Sequence, residues 1–245
     1  MTSPWIKEPG TDDASLLLYC VAHAGGGGSF FRSWRTALEP RIGVCPVVLP
    51  GRESRLREAP LTAVEHVVPP LAEAIRSHAD RPYALFGHSM GAVVAYEVAR
   101  RLSTITQGPS RLFVSGRRAP HLPARRPELH ALGPDEFLPA VAAMGGTPEE
   151  VLRQKELMAV FLPGLRADFR VNETYQQLPG PPLRCPVSAL TGDADPEVDV
   201  TEMRSWAEVT TGDFSLRVFS GGHFYLAGPP PELAEALRAD LAVYP

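Results

Sequence analysis

The chain reads as an α/β protein, with a mostly parallel central sheet, helices on both faces and a helical insertion late in the chain. Three observations predict this. Short, continuously apolar runs at 16–22, 44–49, 83–86 and 111–115 alternate with segments of helical periodicity, the rhythm of strands buried on both faces and their crossover helices. Leu85-Phe86 leads into Gly87-His88-Ser89-Met90-Gly91 and then into an apolar helical segment, which reads as strand, sharp turn and helix with Ser89 at the apex. Between 117 and 182 the rhythm stops, and only helical patterns occur. The expected division is a core of 1–116 and 183–245, carrying a helical subdomain at 117–182.

Taken in order, residues 1–14 hold Pro4, Pro9, Gly10, Asp12 and Asp13, a loose start with an edge strand expected around Trp5 and Ile6. The run 16–22 is too short for a helix and ends in His23-Ala24 and four glycines, Gly25 to Gly28. Glycines let backbone N–H groups approach a ligand closely, and Ser29 is expected to cap a helix carrying Phe30, Phe31, Trp34, Ala37 and Leu38. A phosphate loop fails on detail, since neither G-x-G-x-x-G nor a Gly-Lys-Ser/Thr ending follows. The second strand, 44–49, closes at Pro50-Gly51 and a charged loop from Arg52 to Glu58. Thr62 to Glu65 has capping-box spacing ahead of Val64, Val67, Val68, Leu71 and Ile75, and Pro69-Pro70 should kink or break that helix. A helix over 90–102 follows Ser89.

In the insertion, helices are expected over 134–144, from Thr147 to Leu152, and over 154–175 with a break at Pro163-Gly164. Its apolar residues mainly serve packing, but an insertion placed here would also hang over Ser89 as a lid shaping an acyl channel. The sheet resumes at 185–190, followed by a helix over 201–209, a last strand over 214–219 and an amphipathic helix over 231–243.

The formal charge of −4 in 245 residues argues against nucleic acid and anionic membranes as partners. No apolar run approaches the ~20 residues that span a bilayer, and the N-terminus lacks a signal peptide's pattern, so a cytoplasmic location is expected. Cys20, Cys45 and Cys185 lack metal or redox spacing and read as buried thiols. No cofactor and no metal site is expected.

Ser89 needs a base, and the base needs an orienting acid. Serine, then an acid after a later strand, then a histidine after the last strand is the α/β-hydrolase order. His223 stands in a glycine-rich loop directly after the last expected strand and is the candidate base. Asp193 and Asp195 follow one strand and compete for the acid; composition does not choose, and Asp195, further into the loop, is favoured. Oxyanion donors are assigned to the amides of Ala24 and Met90. His66, His78, His121 and His130 read as solvated, while His23 and His88 read as packing or hydrogen-bonding residues of the site's turns.

Together, Gly87-His88-Ser89-Met90-Gly91, His23-Ala24-Gly25-Gly26, Gly192-Asp193-Ala194-Asp195-Pro196 and Gly221-Gly222-His223-Phe224 resemble the type II thioesterases that accompany polyketide synthases and nonribosomal peptide synthetases. The likeness extends to Leu165–Arg170 and Glu173-Thr174-Tyr175 in the insertion, and Ala22 departs from it where many members carry proline. The resemblance marks Asp195 as the acid and Ala24 and Met90 as oxyanion donors. It implies an editing thioesterase that hydrolyses aberrant or stalled acyl groups from the phosphopantetheine arm of acyl or peptidyl carrier proteins. Arg117, Arg118, Arg125 and Arg126 would then offer acidic carriers a basic surface, or form an ordinary solvated loop. Fold and triad do not specify the leaving group. A small-molecule esterase or acyltransferase, or a non-catalytic module binding acyl carriers, therefore stands beside this reading.

Overall fold

The computed structural model describes residues 3–7, 13–144 and 154–242. Six strands form one sheet: β1 Leu16–Val21, β2 Ile42–Pro46, β3 Tyr83–His88, β4 Arg111–Ser115, β5 Val187–Gly192 and β6 Phe214–Phe219. Their order is β2-β1-β3-β4-β5-β6, and every adjacent pair is parallel. The helices are α1 Arg32–Leu38, α2 Val64–His78, α3 Met90–Ile105, α4 Pro134–Ala143, α5 Lys155–Glu173, α6 Val200–Arg204 and α7 Pro231–Leu241.

Alternation along each strand sends side chains to two cores. Leu17, Tyr19 and Val21 of β1 meet the buried stripes of α2 and α3, while Leu16, Leu18 and Cys20 meet Phe31, Trp34 and Leu38 on one side and Leu233 and Leu237 of α7 on the other. A third, smaller core of Phe137, Val141, Met158, Leu165 and Phe169 lies within the helical segment.

The chain leaves β1 in one direction to form β2 and returns on the other side to form β3, so the order reverses between β1 and β3. Loops leaving a reversal point part and open a crevice at the C-terminal strand ends. Val21 pairs with Gly87 there, which brings the glycine loop after β1 beside the Ser89 turn.

Several local expectations are corrected. Thr62 to Glu65 forms no capping box: Ala63 is the N-cap of α2 and no side chain caps it. Pro69 and Pro70 do not break α2, because their rings sit on its outer side while Val67, Val68, Leu71 and Ile75 remain buried beneath. Each proline removes one helical hydrogen bond, and packing of the opposite stripe outweighs that loss. Pro163-Gly164 likewise leaves α5 continuous. Gly164 is there for proximity, since a Cβ would lie 3.2 Å from the Gly51 carbonyl oxygen. Ser29 does not cap α1; it lies inside a 3-10 turn, Gly28–Phe31, and its amide donates to Glu53 Oε1 at 2.8 Å.

The edge strand around Trp5 and Ile6 is a single antiparallel bridge from Ile6 to Val47, and β2 stops at Pro46. Cys185 precedes β5 and is half-buried, unlike the buried Cys20 and Cys45. The helix expected from Thr147 to Leu152 lies outside the described residues. Among the described residues no helix is long and apolar enough to cross a membrane.

Candidate active site

The turn after β3 forces Ser89 to φ 56°, left-handed backbone that a non-glycine residue adopts only under constraint. The constraint is packing. A Cβ on Gly87 would lie 2.0 Å from the Gly91 carbonyl oxygen, and one on Gly91 would lie 2.2 Å from that of Val21. Only glycines let the turn fold this tightly against β1. The Ser89 amide donates to the Ser115 carbonyl at 2.8 Å, tying the turn to the end of β4. Ser89 is also the N-cap of α3, so Met90 opens that helix, where amides lack intrahelical acceptors and the helix dipole is positive.

The loops after β5 and β6 close on each other. A Cβ on Gly192 would meet the Gly221 carbonyl at 2.2 Å; Asp193 Oδ1 accepts from the Gly221 amide at 2.9 Å. This contact holds His223 Nδ1 at 3.0 and 2.9 Å from the two carboxylate oxygens of Asp195. Both side chains are almost wholly buried, at 4% and 0% exposed. Asp195 Oδ1 also accepts from the Glu197 amide at 2.8 Å, which fixes the carboxylate. Asp193 thus ties the two loops together and Asp195 meets the imidazole, a division the sequence left open.

Ser89, His223, Ala24 and Phe224 line one cavity of about 40 Å³, roofed by Val141, Leu165 and Phe169 of the helical segment. No hydrogen bond joins Ser89 Oγ to His223 among the described residues. Such contacts often tighten only once substrate is bound. A second cavity of about 120 Å³ shares Ser89, Phe169 and Asn172 with the first and runs past Gly116 towards Arg118 and Arg126.

His88 packs against His223, ring centroids 4.7 Å apart, and Gly116 leaves room for both. His88 Nδ1 pairs with Ser115 Oγ at 3.0 Å, which pairs in turn with Tyr225 Oη at 2.7 Å. Burial, with His223 and His23 nearby, holds the His88 imidazole well below its ordinary pKa and so neutral. His23 lies edge-on to Phe30 and Phe224, and burial together with His223 and Arg52 lowers it to about 4. Burial raises the thiols of Cys20 and Cys185, the latter to about 11, which disfavours thiolate chemistry at either.

Two histidines read as solvated are not. His78 Nδ1 pairs with Tyr19 Oη at 2.7 Å, and His130 Nδ1 pairs with Glu173 Oε2 at 2.7 Å. His66 and His121 are exposed. The four arginines do not form a free basic surface. Arg117 is buried and donates to the Asn172 carbonyl; Arg118 donates to that of Leu122. Arg125 pairs with Asp199 and Glu202, and Arg126 with Glu197, acids the sequence places some seventy residues away, in the loop that holds Asp195 and the first turn of α6 that follows it.

Sequence reasoning missed a buried pair, Arg52 and Asp168. Arg52 donates through Nη1 and Nη2 to the two Asp168 oxygens at 2.8 and 2.6 Å. The readable signal was Asp168 itself, a carboxylate flanked by Leu165 and Phe169 on the apolar side of an amphipathic helix.

A parallel sheet reversing at β1 and β3, with a strained serine turn at one strand end and a histidine–carboxylate pair at two others, is the arrangement of α/β-hydrolase-fold enzymes. Residues 17–241 match the family model described as "Thioesterase domain". The chain is 40% identical to the thioesterase PikA5 of Streptomyces venezuelae over 98% of its own length and 86% of that protein's. It is 40% identical to the gramicidin S biosynthesis protein GrsT of Aneurinibacillus migulanus, over 93% and 90% of the two chains. The structure of BorB, a type II thioesterase from the borrelidin biosynthetic cluster, superposes with TM-score 0.87 at 37% identity, covering 99% of this chain and 98% of that one. The chain belongs to the thioesterase family and is a hydrolase acting on thioesters.

Proposed function

We propose that this thioesterase clears aberrant or stalled acyl groups from the phosphopantetheine arm of acyl or peptidyl carrier proteins. Its catalytic residues are Ser89, His223 and Asp195, with the Ala24 and Met90 amides as oxyanion donors. The observation that carries the reading is that His223, paired with the buried Asp195, lines the same cavity as Ser89. The biosynthetic roles in the descriptions of GrsT and BorB support the substrate class, and PikA5, named a thioesterase, supports the reaction.

Ser89 Oγ attacks the thioester carbonyl as His223 Nε2 takes its proton, and Asp195 stabilises the imidazolium that forms. Negative charge on the carbonyl oxygen is met by the two amides and the positive end of α3. Collapse releases the carrier thiolate, which takes the proton from His223, and leaves an ester on Ser89. Water, deprotonated by His223, attacks that ester; the second tetrahedral intermediate expels Ser89 Oγ, reprotonated by His223, and yields the acid.

Residues 117–182 act as a lid in this proposal. Val141, Leu165 and Phe169 supply an apolar wall for the acyl group, and the passage past Asn172 admits the pantetheine arm. The absence of a membrane-crossing helix among the described residues is compatible with a cytoplasmic enzyme meeting its carriers there.

The test is a panel of differently acylated carrier proteins, with matched oxygen esters, assayed with wild type and Ser89→Ala. Wild type should release acid from the thioesters and pass through a Ser89 acyl adduct seen by intact-protein mass spectrometry, and Ser89→Ala should do neither. Preference for the oxygen esters would instead indicate an esterase. An unhydrolysed carrier complex without an adduct would indicate a binding module.

A further inference from the structure

Asp168 lies on the inner side of α5 and is 2% exposed. A buried carboxylate is tolerated only when its oxygens are paired, and these are fully engaged. Besides the two Arg52 contacts, Oδ2 accepts from the Gly25 amide at 2.7 Å. Arg52 Nη1 also donates to the Gly26 carbonyl at 2.8 Å. The glycine loop after β1 is therefore gripped at an amide by Asp168 and at the adjoining residue's carbonyl by Arg52. Gly25 has φ 79°, and a Cβ there would lie 2.7 Å from Leu165 Cδ1, so α5 rests directly on the loop. A run of four glycines has little conformational preference of its own. Its direction must come from what holds it.

We propose that Asp168 and Arg52 are positioning residues that keep the Ala24 amide, one residue before Gly25, aimed at the oxyanion, so that the hole is complete only while α5 is seated. The proposal rests on the hydrolase reading above. Neither residue touches substrate; both act through the loop.

The experiment uses the full chain with Asp168→Asn and the double variant Arg52→Met/Asp168→Leu. Asparagine keeps an acceptor for the Gly25 amide but loses the ion pair. The double variant removes both charges together and leaves neither buried alone, an exchange that buried ion pairs often tolerate. Three quantities are read: the thermal midpoint; kcat and KM on an acyl-N-acetylcysteamine thioester; and inhibition by an alkyl boronic acid, whose tetrahedral serine adduct occupies the oxyanion hole.

The double variant should keep a cooperative unfolding transition and a KM within about twofold, while kcat and boronate affinity fall together by about thirtyfold or more. Asp168→Asn should fall between it and wild type, and serves alone if the double variant does not fold. Folded variants with kcat within about threefold of wild type, or with unchanged boronate affinity, overturn the proposal. Wild-type activity that survives Ser89→Ala overturns the underlying hydrolase reading instead, and is distinguishable because it involves neither Arg52 nor Asp168.

Discussion

Asp195 meets His223 at near-ideal distance with almost no exposure to water, so its charge is felt by the imidazole at close to full strength. Asp195→Asn should preserve the fold yet lower kcat by roughly a thousandfold or more, since an amide can hold the ring in the wrong tautomer and carries no charge to balance it. Steady-state kinetics on an acyl thioester checks this. His23 and His88 make a different prediction. Both favour the neutral ring when folded, so between the ordinary value of 6.5 and about 4 for His23 the unfolded chain binds more protons. Their contribution is fully present above that window and is lost as pH falls through it. Urea midpoints should therefore drop from pH 7.5 to pH 5, and His23→Gln should make the drop shallower. Ser89 and His223 were legible in the sequence because a local motif announces each. The Arg52–Asp168 pair was not, because it joins residues 116 positions apart: Asp168 stands out locally only as a carboxylate on an apolar helix side, and nothing in the sequence points from it to Arg52.

Elements were read well where a buried stripe decides them and poorly where a single residue was given the decision. β4 and β6 occupy the expected residues, and α3 runs three residues beyond its expected end. The prolines of α2 and α5 were overruled by packing across a whole helix face. Pro163 is exposed and its ring replaces an N–H donor in a continuous helix. Pro163→Ala should stabilise the protein by about 1–2 kcal/mol, the restored helical hydrogen bond outweighing the freer unfolded chain; urea denaturation measures it. The turn before α3 has no such slack. A Cβ at Gly91 would press on the backbone of β1, which cannot rotate away. Gly91→Ala should cost about 3 kcal/mol or prevent folding, read by the same method.

At the scale of the molecule, six parallel strands put every strand's C-terminal end on one rim, and the loops carrying Ala24, Ser89, Asp195 and His223 all leave from it. Alternating strand and helix patterns made that architecture legible. The seating of the helical segment was not, since it depends on long-range ion pairs: Arg125 and Arg126 with the acids after β5 on one side, Arg52 with Asp168 on the other.

Because the segment between β4 and β5 carries none of the loops bearing those four residues, evolution could exchange it as a cassette and alter acyl preference while sparing the chemistry. Asp168 sets a condition on such exchanges. A chimaera importing a foreign cassette without a carboxylate facing Arg52 would inherit the donor's taste in acyl chains together with a slack glycine loop. Turnover should recover once that single acid is put back.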